Sequence, residues 1–217
     1  VTPVTERRPL PGEEFDPADL RIPPSPRGLR IGLLGGSFNP PHLGHRHIAE
    51  AALARLRLDR LWVLVTPANP LKTATGLAAL GRRIAATRAL MRHPRIVVTA
   101  FEAALGTSYT WRTVERLVAS RPGVDFVWVM GADNLAGFHR WQQWRRIAHT
   151  LPIAVIDRPG ATEAPLSARA ARALGDRRLP ETDAARLADL DAPAWVFLHP
   201  RHVDLSSTDL RRSGRGL

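Results

Sequence analysis

Apolar residues fall along this chain in short runs separated by amphipathic stretches. The runs Arg30 to Leu34, Arg60 to Val65, Ile96 to Thr99, Asp125 to Met130, Pro152 to Ile156 and Ala194 to Leu198 have the length of buried strands. Between most of them apolar residues recur at helical spacing. After the first run, Ile48, Ala49, Ala52 and Leu53 share one face of a helix opening near His45. Strands alternating with helices predict an α/β fold, a doubly wound parallel sheet with helices on both faces. Such sheets bind ligands beyond the carboxyl ends of their strands, where the strand order reverses. Two regions lie outside the alternation. Residues 1–28, rich in proline and charge, read as a flexible extension ahead of a single domain over 29–217. Residues 161–192, rich in Ala, Arg and Asp, read as a helical segment and a connection with a structural role.

The end of the first run carries the strongest chemical signal. "IGLLGGSFNPPHLGHRHIAE", residues 31–50, is a strand, a Gly/Pro loop and a helix start. Glycines let backbone approach a ligand, and a helix N-terminus offers unpaired N–H groups and partial positive charge, so the stretch predicts an anion site. Its glycines follow neither the dinucleotide fingerprint nor the P-loop pattern. His42 and His45, flanking Leu43-Gly44, are the candidate donors to phosphate oxygen. A histidine near a helix start is otherwise a cap or a surface residue. With no cysteine and no second cluster at ligand spacing, zinc is disfavoured.

Composition narrows the classes. A chain of 217 residues suggests one domain with a sizeable core. No apolar run approaches about 18 residues and the N-terminus has no apolar signal region, so neither a membrane nor export is expected. The lack of cysteine excludes disulfides and thiolate chemistry and fits the cytoplasm. A net charge of +11 raises nucleic-acid binding. Yet the basic residues are nearly all Arg, spread over every predicted helix, with Lys72 the sole lysine, and no recognition-helix, zinc-finger or RNA-binding pattern accompanies them. Attraction of anionic nucleotides is the simpler reading, with no nucleic-acid partner.

"GGSFNPPHLGH", residues 35–45, resembles the G-S-F-D-P-x-H-x-G-H signature of nucleotidyltransferases with an HxGH phosphate motif, and "LSSTDLRR", residues 205–212, resembles their C-terminal I-S-S-T-x-I-R. Asn39 stands where Asp is commoner. "SYTWRT" (108–113), "WVMGADNLAGFHRWQQW" (128–144) and "VIDRPG" (155–160) resemble the nicotinate-mononucleotide adenylyltransferase branch. The resemblance spans about residues 29–212 and implies a Rossmann-like nucleotidyltransferase domain. The implied reaction moves AMP from ATP to nicotinate mononucleotide, releasing pyrophosphate, in NAD biosynthesis, with Mg²⁺ carried mainly on the phosphates.

On that resemblance His42 and His45 are catalytic, and Gly35, Gly36, Ser37 and Phe38 line the ATP phosphates with them. Ser206, Ser207, Thr208 and Arg211 are implied at the β- and γ-phosphates; taken alone, these hydroxyls are a helix N-cap. The chain ends five residues after Arg212, short of the family's usual longer helix, so a weaker grip is expected there. Lys72, in a loop where the family places a basic residue, is implied near the phosphates, although Leu71 stands in place of the His that often precedes it. On the mononucleotide side the resemblance implies Lys72 together with Gly131, Asp133, Thr110, Arg158 and Trp141, the last stacked on the pyridine ring. Trp141 and Trp144, three apart, read as sharing a helix, with Trp144 structural. The alternatives are another HxGH-type enzyme, acting on nicotinamide mononucleotide or phosphopantetheine, and a nucleotide- or RNA-binding module without turnover. The sequence leaves the oligomeric state open.

Overall fold

A computed structural model describes residues 16–67, 77–107, 109–157 and 164–199. Among them seven strands form one sheet: β1 (Arg30–Gly36), β2 (Arg60–Val65), β3 (Ile96–Thr99), β4 (Asp125–Gly131), β5 (Ile153–Ile156), β6 (Arg178–Leu179) and β7 (Trp195–Leu198). Their order is β3-β2-β1-β4-β5-β7-β6, and every pairing is parallel. The helices are α1 (Leu43–Arg55), α2 (Leu80–Leu90), α3 (Phe101–Ala104), α4 (Thr110–Ser120), α5 (Ala132–Gly137), α6 (Trp144–Thr150) and α7 (Arg169–Ala173), with short 3-10 turns between some of them. No helix among the described residues is long and apolar enough to cross a membrane.

The strands read as near-continuous apolar runs because both faces of the sheet are covered. Alternate side chains go to opposite layers. Leu34, Leu61, Val63, Val65, Val127 and Val129 join the layer closed by Ile48, Ala52 and Leu53 of α1 and Ile84 of α2. Ile31, Leu33, Trp62, Leu64, Phe126, Trp128 and Met130 join the layer closed by Val114 and Leu117 of α4 and Ile147 of α6. Burial of each large side chain contributes roughly 1.5–3 kcal/mol, so these two layers dominate the stability of the sheet.

Chain direction across the sheet changes at β1. From β1 the chain winds outward through α1 to β2 and then β3, and it returns to the other side of β1 as β4. β1 stays paired with β2 through Gly36↔Val65 but with β4 as far as Leu34↔Val129. The sheet therefore opens between β1 and β4 at Gly35, at the switch point where the fold rule places a ligand.

Three local expectations are corrected. Residues 16–28 are assigned by composition to a flexible extension, yet they pack on the sheet. Pro17–Leu20 forms a 3-10 turn capped by Asp16, Asp19 is buried and paired with Arg88, and Leu20 and Ile22 pack against the two core layers. The carbonyl of Asp19 accepts from the Ala100 amide at 2.8 Å and the Thr99 hydroxyl at 2.9 Å. These tertiary partners have no trace in local periodicity. Within 161–192, the described part from 164 holds α7 and 3-10 turns together with the two-residue edge strand β6, too short to show a period. Trp141 and Trp144 do not share a helix: α6 begins at Trp144, after Gln143 at φ +55°, and Trp141 stands in the preceding turn.

Candidate active site

β1 runs through the glycine pair that the sequence places at its end, and the reason for both glycines is steric. A Cβ on Gly35 would lie 2.8 Å from Cη2 of Trp128, and one on Gly36 would lie 3.1 Å from Cε2 of Phe38. The Trp128 ring has no flexible end that could give way, so a side chain at Gly35 would force strand or ring to shift, whereas one at Gly36 would need Phe38 to yield by a few tenths of an ångström. Past Ser37 the chain turns through Phe38 at φ +46°, a left-handed conformation held by burial of its ring. The loop is stitched to the chain ahead of α2 by Asn39, whose Oδ1 accepts from the Ala78 amide at 3.2 Å.

α1 opens two residues before the expected start, with extended His42 as its N-cap and His45 in its first turn. The two imidazoles stack, centroids 3.7 Å apart and planes 29° apart, and His45 also meets the tilted ring of Phe38 at 4.8 Å. The backbone amide of His42 donates to Nδ1 of His45 at 3.2 Å. That bond makes Nδ1 an acceptor, so the neutral ring carries its proton on Nε2. His42 is exposed and His45 half-buried. Two imidazoles held against each other at the N-terminus of a 13-residue helix form a compact donor group in the field that favours an anion.

Beyond the opening, β4 ends at Gly131, buried and the N-cap of α5, and Asp133 is exposed in the first turn of α5. Thr110 is the first residue of α4, half-buried. The start of α4 is tied to the turn holding Trp141, because Trp111 Nε1 donates to Gln142 Oε1 at 3.0 Å and Glu115 pairs with Arg146. Trp141 is half-buried, its ring edge-to-face with Trp128 (6.2 Å, 84°) and with Phe138 (5.4 Å, 75°). Trp144 is buried, also beside Phe138. Trp128 thus touches both halves of the opening: it presses on Gly35 and it braces Trp141. Lys72, Arg158, Ser206, Ser207, Thr208 and Arg211 lie outside the described residues.

Two buried charged residues behind these loops carry no sequence signal. Arg83 of α2 is 3% exposed, and Glu102 of α3 is 5% exposed. Glu102 Oε1 accepts from the Thr113 hydroxyl at 2.9 Å, and Thr66, just past β2, donates to the same carboxyl. Burial pushes this carboxyl from an ordinary 4.5 up to about 7, against the lowering effect of the two hydroxyls. Charged residues within helical patterns read as solvent-facing, and the partners that bury these two come from other elements.

No group of three or more His, Cys, Asp or Glu able to hold a metal occurs among the described residues. The donor set is imidazole and amide, suited to oxyanions. A divalent ion accompanying a nucleotide here would belong to the nucleotide's own phosphates.

The cytidylyltransferase-like family model matches residues 33–213. A Rhizobium meliloti (strain 1021) protein named probable nicotinate-nucleotide adenylyltransferase is 58% identical over 188 residues, covering 87% of this chain and 100% of its own. An Agrobacterium fabrum (strain C58 / ATCC 33970) protein of the same name is 57% identical over 183 residues, 84% of this chain and 98% of its own. Among solved structures, Plasmodium falciparum nicotinic acid mononucleotide adenylyltransferase complexed with NaAD shares the fold, with a TM-score of 0.61 at 14% identity over 85% of this chain and 83% of that one. Matched over most of its length by the family model and by relatives at this identity, the chain belongs to the cytidylyltransferase-like family, in its nicotinate-nucleotide adenylyltransferase branch.

Proposed function

We propose that this protein transfers AMP from ATP to the 5′-phosphate of nicotinate mononucleotide, giving deamido-NAD and pyrophosphate, in the cytoplasm. A phosphate oxygen of the mononucleotide attacks the α-phosphorus of ATP, the bond to the bridging oxygen breaks, and pyrophosphate departs with that electron pair. The nucleophile is already ionised at neutral pH, so no side chain need take a proton from it. Alignment and stabilisation of the charge on the transferring phosphoryl group carry the reaction. His45, through Nε2–H, and His42 supply that stabilisation. Gly35, Gly36, Ser37 and Phe38 let the triphosphate lie against the loop. Lys72 and the hydroxyls of Ser206, Ser207 and Thr208, with Arg211, complete the phosphate contacts.

Gly131, Asp133, Thr110, Arg158 and Trp141 hold the mononucleotide, and Mg²⁺ enters with ATP. The observation that carries this reading is the stacked His42–His45 pair at the N-terminus of α1, on the connection that leaves β1 where β1 and β4 part. The test is purified protein with ATP, Mg²⁺ and nicotinate mononucleotide, nicotinamide mononucleotide or phosphopantetheine, scored for pyrophosphate. Release with the nicotinate acceptor alone, or foremost, supports the proposal; none with any of the three overturns it.

A further inference from the structure

Arg83 is buried, and its guanidinium donates to four backbone carbonyls. Nε donates to Ala78 at 2.9 Å; Nη1 donates to Ser37 at 2.7 Å and Thr66 at 2.8 Å; Nη2 donates to Pro67 at 3.2 Å. Ser37 belongs to the phosphate loop after β1, Thr66 and Pro67 to the exit of β2, and Ala78 to the approach to α2. Ala78 is held from both sides, since its amide also donates to Asn39 of the phosphate loop.

We propose that Arg83 is a positioning residue for adenylyl transfer, fixing the peptide planes of the phosphate loop from behind through the carbonyl of Ser37. A trans peptide points its carbonyl and its N–H in opposite directions. Drawing the Ser37 carbonyl onto the guanidinium therefore turns the Phe38 N–H the other way and sets the left-handed Phe38 whose ring backs His45. The thread from Arg83 to His45 is thus three steps long: Ser37 carbonyl, Phe38 backbone, Phe38 ring against imidazole. The Thr66 amide donates to Gly36 at 3.0 Å, so the carbonyl that Arg83 holds at Thr66 belongs to a residue bonded to the same loop. The planar fork of Arg suits this work, because its donors lie in fixed directions and can reach several carbonyls at once; an ammonium on a shorter stem cannot span them.

The inference rests on the assignment of residues 35–45 to the ATP phosphates, and its test separates the two. Arg83→Lys and Arg83→Ala are compared with parent and His45→Ala by thermal melting, by KM for ATP and acceptor, and by single-turnover rate per folded site. For Arg83→Lys the expected result is a folded protein whose chemical step is about 10²-fold slower, the scale for a misplacement near 1 Å, with both KM values within about threefold. Guanidinium ion at concentrations that leave melting unchanged should restore about tenfold of the loss in Arg83→Ala and none in Arg83→Lys, whose cavity is filled. A chemical step within threefold of parent in Arg83→Lys, or loss of the fold in both variants, would overturn the proposal, since Arg83 would then serve the fold alone. If His45→Ala keeps parental turnover, the phosphate-loop assignment fails, whatever the Arg83 variants do.

Discussion

The backbone amide of His42 donates to Nδ1 of His45, so one histidine of the motif sets the proton position of the other. With Nδ1 accepting, the His45 ring presents its N–H at Nε2, the nitrogen proposed to meet substrate. Replacement by Ala should lower kcat about 10²-fold, the scale for losing one donor to transition-state charge. Side-chain length then discriminates: the amide nitrogen of Gln approximates Nε2 and that of Asn approximates Nδ1. His45→Gln should recover part of the loss and His45→Asn little. Steady-state kinetics on the three variants check this, and equal activity of Gln and Asn would contradict the tautomer assignment.

Trp128 and Phe138 both meet Trp141 in edge-to-face pairs, which fix the Trp141 ring in the turn ahead of α6. With Trp141 stacked on the pyridine, Trp141→Ala should raise KM for the mononucleotide about tenfold while KM for ATP stays near parent, and Trp141→Phe should keep most of the affinity. Nicotinate and nicotinamide acceptors differ by a carboxylate against an amide, so donors alone at that position, such as backbone N–H groups near Trp141, would leave the amide NH₂ unpaired. The preference for the acid is expected at roughly ten- to a hundredfold in kcat/KM. Equal use of both acceptors would remove the specificity claim, and a Trp141 effect confined to ATP would place that ring at the wrong substrate.

The six apolar runs read from the sequence reappear as strands with ends shifted by two residues at most, because a strand covered on both faces writes its burial into every residue. β6 escaped because two residues have no period. His42 and His45 were legible since their loop is local: a strand, glycines and a helix start in one stretch. Arg83 and Glu102 were not, since what buries them comes from Ser37, Thr66 and Thr113, which only the sheet order brings near. The helix imagined through Trp141 fails at a single backbone torsion, that of Gln143, which spacing cannot report.

Asp19 accepts from Arg88 and, through its carbonyl, from Thr99 and Ala100, anchoring residues 16–28 to the end of β3. A chain beginning at Leu29 loses those bonds and the burial of Leu20 and Ile22. A loss of about 2–3 kcal/mol is expected, or roughly 5–10 °C in Tm for a chain of this size. Asp19→Asn should cost about 1 kcal/mol or less, because Arg88 is half-exposed and its pairing is screened by solvent. Calorimetry on both variants is the check; an unchanged Tm in the shortened chain would return these residues to the status of a loose extension.

Glu102 makes the stability of the fold depend on pH in a direction opposite to that of an ordinary paired carboxylate. Its carboxyl titrates near 7 in the folded chain and near 4.5 when unfolded, because burial disfavours the charge. Below about 4.5 both states hold the proton and the full contribution is present. Between 4.5 and 7 the unfolded chain releases its proton while the folded chain keeps it, so stability falls as pH rises, and above about 7 the loss is complete. The displacement corresponds to about 3 kcal/mol at most. Glu102→Gln keeps the shape, offers an oxygen to the Thr113 hydroxyl and an N–H to Thr66, and has no proton to lose. The variant should match the parent near pH 4.5 and exceed it by up to about 3 kcal/mol near pH 8, measured by urea unfolding of the two proteins across that range. A difference between them that is the same at every pH would show that Glu102 does not titrate in this window, and a variant less stable than the parent at pH 8 would mean that the charged carboxylate is the form the network is built to hold.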